Sequence, residues 1–488
     1  MLELTVNRNS KPPLYRQIAE QIKTQISNGR LPANSRLPTV RGLARSLGVT
    51  RLTVQNAYAE LQADGWIEAT VGRGTFVSTA VQHMSLQPTV GQYLTPDSAI
   101  NDMLAINQVI GVRSMAMAHA DPALFPLDAF WQQMARLRPE ANQLLSYGPI
   151  QGDTALRVEV SQMLQDDGIQ ASPDDILITS GAIQSISLAT AAVAQPGDVV
   201  LVEQPTFLGV LNILKAQGLR PLHIPMQPDG PDLAQMERLI QTHKPRCYYT
   251  VATFHNPTGY STSAARRQAI LQLAQRHNML IIEDDIYSKL GFAGPALPAF
   301  KQQDGDDRVL YLSSFSKMLM PGLRVGYLLM PIAWRDQLLT LRRATDLCGT
   351  GLLQRALAHF LQDGGLKKHL RRVIPIYRER RDALLASLGR WMPTAVRWTE
   401  PQGGFSCWVT LPRRLPPGLL YRQALENGFA FTPGEAYLLD DDGHEYLRLC
   451  FGNLGSDGIE AGVKLLGTLI QQQLTSSTPT GGDWLPYV

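Results

Sequence analysis

The chain has 488 residues, 44% of them hydrophobic and 18% charged, which is enough apolar material for about three folding units and excludes a wholly disordered chain. No apolar run approaches about 18 residues, the first residues lack the basic-then-apolar order of a secretion signal, and Cys247, Cys348, Cys407 and Cys450 lie far apart with no His cluster. A reduced cytoplasmic chain is therefore expected, with no membrane span, disulfide framework or metal site.

Charge is unevenly placed. Ten of the 45 Lys/Arg and five of the 42 Asp/Glu fall within residues 1–78, a balance of +5, and the rest of the chain carries −2. A basic head on a near-neutral body predicts a polyanionic partner for the head alone. The head reads as three helices and a hairpin. Leu14, Ile18, Ile22 and Ile26 recur every fourth position, and Gly29 ends that helix. Thr39 caps a second helix carrying Val40, Leu43, Ala44 and Leu47 on one face, closed by Gly48. Thr50 caps a third with Val54, Ala57, Tyr58 and Leu61, and Gly65 follows it. Two short strands, Trp66–Val71 and Thr75–Ser78, flank Gly72-Arg73-Gly74.

Two capped helices joined through Gly48-Val49 form a helix-turn-helix, whose second helix enters the major groove of double-stranded DNA. The predicted contact set is Thr39 and Arg41, then Arg51, Thr53 and Gln55 in the first turn of the third helix, and Arg73 at the hairpin tip. A lone arginine here says little, because any three-helix domain carries some on its solvated faces. The whole stretch says more. Pro13-Leu-Tyr15, Leu37-Pro-Thr-Val-Arg41, Gly48-Val-Thr-Arg51, Ala57-Tyr58 and Gly72-Arg-Gly-Thr-Phe-Val77 resemble the GntR-type winged-helix domain nearly end to end. Gln55 stands where many such domains carry Arg, which favours an adenine contact over a guanine contact.

Residues 79–109 are mixed and turn-rich, the composition of a linker or loosely attached arm. From about residue 110 short apolar runs alternate with amphipathic segments: Ile176–Thr179, Val199–Val202, Tyr248–Ala252, Met279–Ile282 and Val309–Leu312. That pattern predicts a mainly parallel α/β sheet covered on both faces. From about 365 to 470 an Arg-rich helix and the runs Phe405–Leu411 and Tyr446–Phe451 suit a smaller α+β subdomain, and 471–488 reads as a polar tail.

Several body motifs supply what pyridoxal phosphate chemistry needs: an imine-forming lysine, a carboxylate for the pyridine nitrogen, donors at O3′, an aromatic lid and an anion cradle. Thr179-Ser-Gly-Ala-Ile-Gln184 opens a helix after a strand, so its backbone N–H groups can hold a phosphate. Phe207 can stack on the ring, and Asn256-Pro-Thr-Gly259 is a turn that can aim an amide at O3′. Asp284 ends an apolar run, where open α/β sheets bind ligands, with Tyr287 three residues on. Lys317 follows Ser313-Ser-Phe-Ser, and Ser314, Ser316 and Arg324 form a phosphate set. Arg448 on an otherwise apolar strand needs an anion, either an internal carboxylate or a substrate's. Taken singly, each feature has a bland explanation as surface, core or turn.

In order, the series resembles fold-type I class I aminotransferases, nearest the aminoadipate/kynurenine branch, over roughly residues 110–470. The resemblance implies Lys317 as the imine lysine, Asp284 at the pyridine nitrogen, and Tyr287 with Asn256 at O3′. It gives the phosphate to the backbones of Ala182 and Ile183 with Ser314, Ser316 and Arg324, and the α-carboxylate of the amino acid to Arg448. Tyr147, in Ser146-Tyr-Gly-Pro-Ile-Gln-Gly152, is similar to the tyrosine that reaches the phosphate from the other subunit of a homodimer. Ile183 stands where relatives often have Gln, and Phe207 where many have Tyr. A GntR-like head on such a body is the layout of MocR-type regulators. That layout implies a pyridoxal-phosphate-dependent transcriptional regulator of operator DNA, sensing an amino acid or amine through an aldimine at Lys317. An active aminotransferase with an accessory DNA-binding head is the alternative, because the catalytic set is complete.

Overall fold

The computed structural model describes residues 4–6, 13–27, 31, 34–63, 66–70, 74–78, 112–294, 297–412, 417–440 and 445–475. Gly29, Gly65, Arg73, the segment 79–109 and the chain beyond Thr475 lie outside them. The chain divides into two compact units, a head and a body whose main part begins at Arg113.

In the head, α1 (Leu14–Ser27), α2 (Val40–Leu47) and α3 (Arg51–Ala63) precede an antiparallel ribbon of β1 (Ile67–Thr70) and β2 (Gly74–Val77). The apolar spacing closes a single core. Ile18, Ile22 and Ile26 of α1 meet Leu43 and Ala44 of α2, Val54, Ala57 and Leu61 of α3, and Trp66, Ile67 and Val77. Fully burying such a side chain contributes about 1.5–3 kcal/mol. Thr39 caps α2 by accepting from the Gly42 N–H at 3.1 Å. Gly48 ends it at φ +63°, a conformation that glycine adopts without a Cβ penalty. Thr50 Oγ1 accepts from the Thr53 N–H at 3.2 Å and so starts α3.

The body opens with β3 (Arg113–Ser114) and then builds an eight-stranded sheet. Its strands are β4 (Ile176–Thr179), β5 (Val199–Gln204), β6 (Arg220–Gln227), β7 (Gly230–Pro231), β8 (Cys247–Thr250), β9 (Leu280–Asp284), β10 (Val309–Ser314) and β11 (Gly326–Leu329). The spatial order is β4-β11-β10-β9-β8-β5-β6-β7. Strands β6, β5, β8, β9 and β10 are mutually parallel, and β11 is antiparallel to both neighbours. Three strands fall outside the apolar runs: β6 contains Pro221 and Pro225, which cannot donate to a ladder, β7 is a two-residue Gly-Pro pair, and β11 begins on Gly326.

The helix Gly365–Trp391 leads into a four-stranded antiparallel sheet of β12 (Arg397–Trp398), β13 (Ser406–Leu411), β15 (Thr432–Pro433) and β16 (Glu445–Cys450). A separate short strand, β14 (Phe429–Ala430), pairs in parallel with β3, which ties the first residues of the body to this smaller part. The closing helix, Ser456–Thr475, packs against Gly365–Trp391 and extends through Gln471–Thr475, which composition had assigned to the tail.

Candidate cofactor site and DNA-reading face

Because β5, β8, β9 and β10 are parallel, their carboxyl ends open on one edge of the sheet, where such sheets bind ligands. Phe207 follows β5, Asn256 follows β8, Asp284 ends β9 with Tyr287 just beyond, and Ser314, Ser316 and Lys317 stand at the end of β10. The motifs are far apart in sequence, and the sheet collects them at this edge.

Asp284 is buried. Its Oδ2 accepts from the Tyr249 hydroxyl at 2.8 Å, and its Oδ1 has no hydrogen-bond partner. Burial raises its carboxyl to about 7; the Tyr249 bond and the Lys317 charge pull it down, and Asp285 pushes it up. Tyr287 is also buried and its hydroxyl is unpartnered; burial raises the phenol, so it stays a neutral donor. Lys317 is partly buried, and its Nζ donates to the Ala118 carbonyl at 2.6 Å. Burial, then the Arg448 charge, lower its ammonium to about 8.

Arg448 lies on β16 with its guanidinium buried. Nη1 donates to Asn256 Oδ1 at 2.8 Å, and Nη2 to Thr432 Oγ1 at 3.2 Å and to the Ala116 carbonyl. Nε has no partner, and the group lies 4.9 Å over the Tyr437 ring. Every partner is neutral: among the described residues no carboxylate pairs with Arg448. Since a guanidinium only donates, it takes the Asn256 amide by its oxygen and leaves the NH2 as the remaining donor.

At the other end, Gly181 (φ +107°) precedes the helix Ala182–Val193, which has no side-chain cap. Its first-turn N–H groups, at Ala182 and Ile183, have no carbonyl within the helix to accept them. A Cβ on Gly181 would lie 2.8 Å from Arg324 Nη2, because the Arg324 side chain folds across this glycine to donate to the Ser180 carbonyl at 2.7 Å. The register Ser314↔Gly326↔Thr179 brings the serine pair alongside, with Ser314 and Ser316 hydroxyls 2.9 Å apart. The Phe207 ring lies over Gly209, close to the Ile183 side chain. Tyr147, in contrast, is 85% exposed, and Leu145 beside it is 73% exposed. Tyr249, Thr432 and Tyr437 were not anticipated. Only Tyr249 left a signal, as a hydroxyl within a strand of buried residues.

In the head, Arg41, Arg51 and Gln55 are exposed. Thr39 is occupied as the α2 cap, and the Thr53 hydroxyl lies 2.8 Å from that of Thr50. Leu52 (65% exposed) and Asn56 share the Arg51 and Gln55 face at helical spacing and had not been singled out. No described helix is long and apolar enough to cross a membrane, and no group of three or more described His, Cys, Asp or Glu could hold a metal ion.

Residues 113–465 match the aminotransferase class I and II family, and residues 14–77 match the bacterial regulatory proteins of the gntR family. An uncharacterized HTH-type transcriptional regulator of Bacillus subtilis, YdfD, is 31% identical over 472 residues, covering 95% of this chain and 97% of the relative. A probable rhizopine catabolism regulatory protein of Rhizobium meliloti, MocR, is 28% identical, covering 88% of each chain. The crystal structure of LysN, an alpha-aminoadipate aminotransferase of Thermus thermophilus complexed with N-(5′-phosphopyridoxyl)-L-leucine, is 33% identical with a TM-score of 0.72. It covers 77% of this chain and 95% of its own.

Proposed function

Because this chain belongs to the aminotransferase class I and II family and carries a gntR-family head, the layout of MocR-type transcriptional regulators, we propose that it reads operator DNA under the control of an amino acid captured at Arg448. It is a DNA-binding transcriptional regulator with pyridoxal phosphate as its cofactor. The observation that carries the effector reading is a set of buried polar atoms without partners: Asp284 Oδ1, Tyr287 OH and Arg448 Nε. Leaving a buried polar atom unpaired costs about 1–3 kcal/mol. In chemistry these three match a protonated ring nitrogen, a phenolic oxygen and an amino-acid carboxylate, so the residues fit the cofactor and an effector beside it.

When bound, pyridoxal phosphate supplies an aldehyde that condenses with amines and a ring that draws electrons from the adjacent carbon. Lys317 is the amine that holds it, and a lowered ammonium keeps part of that amine neutral and nucleophilic near pH 8. Asp284 would keep the proton on the ring nitrogen, and Tyr287 with the Asn256 NH2 would donate to O3′. Phe207 would pack against the ring and exclude water. The N–H groups of Ala182 and Ile183, with Ser314, Ser316 and Arg324, hold the phosphate. Arg448 would take the α-carboxylate and so turn the amine of an incoming amino acid toward the aldehyde-derived carbon that Lys317 would hold. A second copy of the body covers Leu145 and Tyr147, and its Tyr147 completes the neighbour's phosphate site. The dimer then presents two heads to paired operator half-sites in the cytoplasm.

The retained catalytic set also favours a second reading, a working aminotransferase. An absorbance titration with amino acids and amines, followed by analysis for a keto acid, separates the two. Spectral change with at most one equivalent of keto acid supports sensing, keto acid in excess of the cofactor when a second keto acid is supplied supports turnover, and no spectral change with any compound overturns both.

A further inference from the structure

Strand β8 carries two adjacent tyrosines, and side chains on a strand alternate between faces. Tyr248 donates to Glu203 on β5 at 2.7 Å, while Tyr249 donates to Asp284 on β9 at 2.8 Å. The register pairs Tyr249 with Ile282, so Asp284, two residues along β9, shares that face and stands diagonally opposite the tyrosine. Both side chains are almost wholly inaccessible, Tyr249 at 0% and Asp284 at 1%. The phenol has one proton to donate. It goes to Oδ2, so Oδ1 is left for a ligand.

We propose that Tyr249 is a positioning residue that holds Asp284 ionised and aimed, and so keeps the proton on the ring nitrogen of the bound cofactor. This rests on the assignment of Asp284 as the nitrogen's partner. Burial alone favours the neutral carboxyl, and a neutral carboxyl cannot keep an adjacent nitrogen protonated. The nearby charges divide: Lys317 favours the carboxylate and Asp285 opposes it. A buried donor at 2.8 Å opposes the effect of burial and favours the carboxylate without adding charge. Burial, with Asp284, Glu203 and Tyr287 close by, raises the Tyr249 phenol well above its ordinary value, so it remains a donor across the working range.

The test uses the full-length protein loaded with pyridoxal phosphate labelled with 15N in the ring. The ring 15N shift reports the proton directly, and the pH midpoint of the visible band reports its effect on the Lys317 linkage. In Tyr249→Phe the shift moves toward the unprotonated position, the midpoint rises, and cofactor affinity falls about tenfold, the range for loss of an outer support. Replacing Tyr249 with 3-fluorotyrosine, a stronger donor, moves shift and midpoint the opposite way and serves if the Phe variant does not fold. Asp284→Asn is the reference. If it moves the 15N shift and neither Tyr249 variant does, the role of Tyr249 is overturned while Asp284 keeps its own. If Asp284→Asn also leaves the shift in place, the assignment of Asp284 itself fails.

Discussion

The head and the body advertise function in opposite ways. The candidate DNA-reading face is made of exposed side chains on α3: Arg51 and Gln55, which the sequence pattern names, with Leu52 and Asn56 beside them at helical spacing. The candidate cofactor site is made of buried side chains from strands far apart in sequence, and it gathers unpaired polar atoms: Asp284 Oδ1, Tyr287 OH and Arg448 Nε. An exposed polar face is tolerated with or without a partner, because water satisfies it. Single buried unpaired atoms occur elsewhere, Trp66 Nε1 in the head among them, but here an acceptor and two donors lie close together, and that grouping points to a ligand.

Changes that separate the two regions test this contrast. The largest effect belongs to Lys317→Ala, which should abolish the borohydride-reducible adduct and the visible absorbance while leaving the head's DNA affinity unaltered. An adduct mapped to another lysine would contradict the assignment. Arg51→Ala and Gln55→Ala should each lose about 1–3 kcal/mol of operator discrimination, read by gel shift, with the visible spectrum intact. Thr50→Ala should behave differently from both, because removing its cap on α3 costs about 1 kcal/mol of head stability, seen in thermal unfolding. The smallest effect is a pH slope. Burial raises Asp284 and Glu203 to about 7, above their unfolded values. Their neutral forms therefore favour the fold below pH about 4, and that contribution is lost as pH rises through about 7. Cofactor-free protein should melt earlier across that window, and Asp284→Asn should flatten the slope.

The two regions differ as well in how much of each is legible in the sequence. In the head, caps and spacing were enough: Thr39, Gly48 and Thr50 bound the helices, and every apolar position named on α3 is buried. In the body the ordered motifs reached the residues at the strand ends but not their partners. The Arg448–Asn256 bond spans 192 residues, and the Tyr249–Asp284 bond depends on which strands are neighbours. Local periodicity contains neither. Two-residue β3 was invisible for another reason, since its pairing with β14 is set by tertiary packing and not by strand propensity. Thr53 has the right position for a base contact, but its hydroxyl is engaged with Thr50, a distinction that spacing cannot make.

The proposed link between the regions rests on Arg448, whose guanidinium has only neutral partners among the described residues. The decisive measurement is operator affinity with and without each of the common amino acids, for the parent and for Arg448→Gln, both loaded with pyridoxal phosphate. At least one amino acid should shift the parent's affinity, and the variant should bind operator equally well without effector but fail to respond. A variant that keeps its visible absorbance and responds as strongly as the parent would contradict carboxylate capture at Arg448 as the switch.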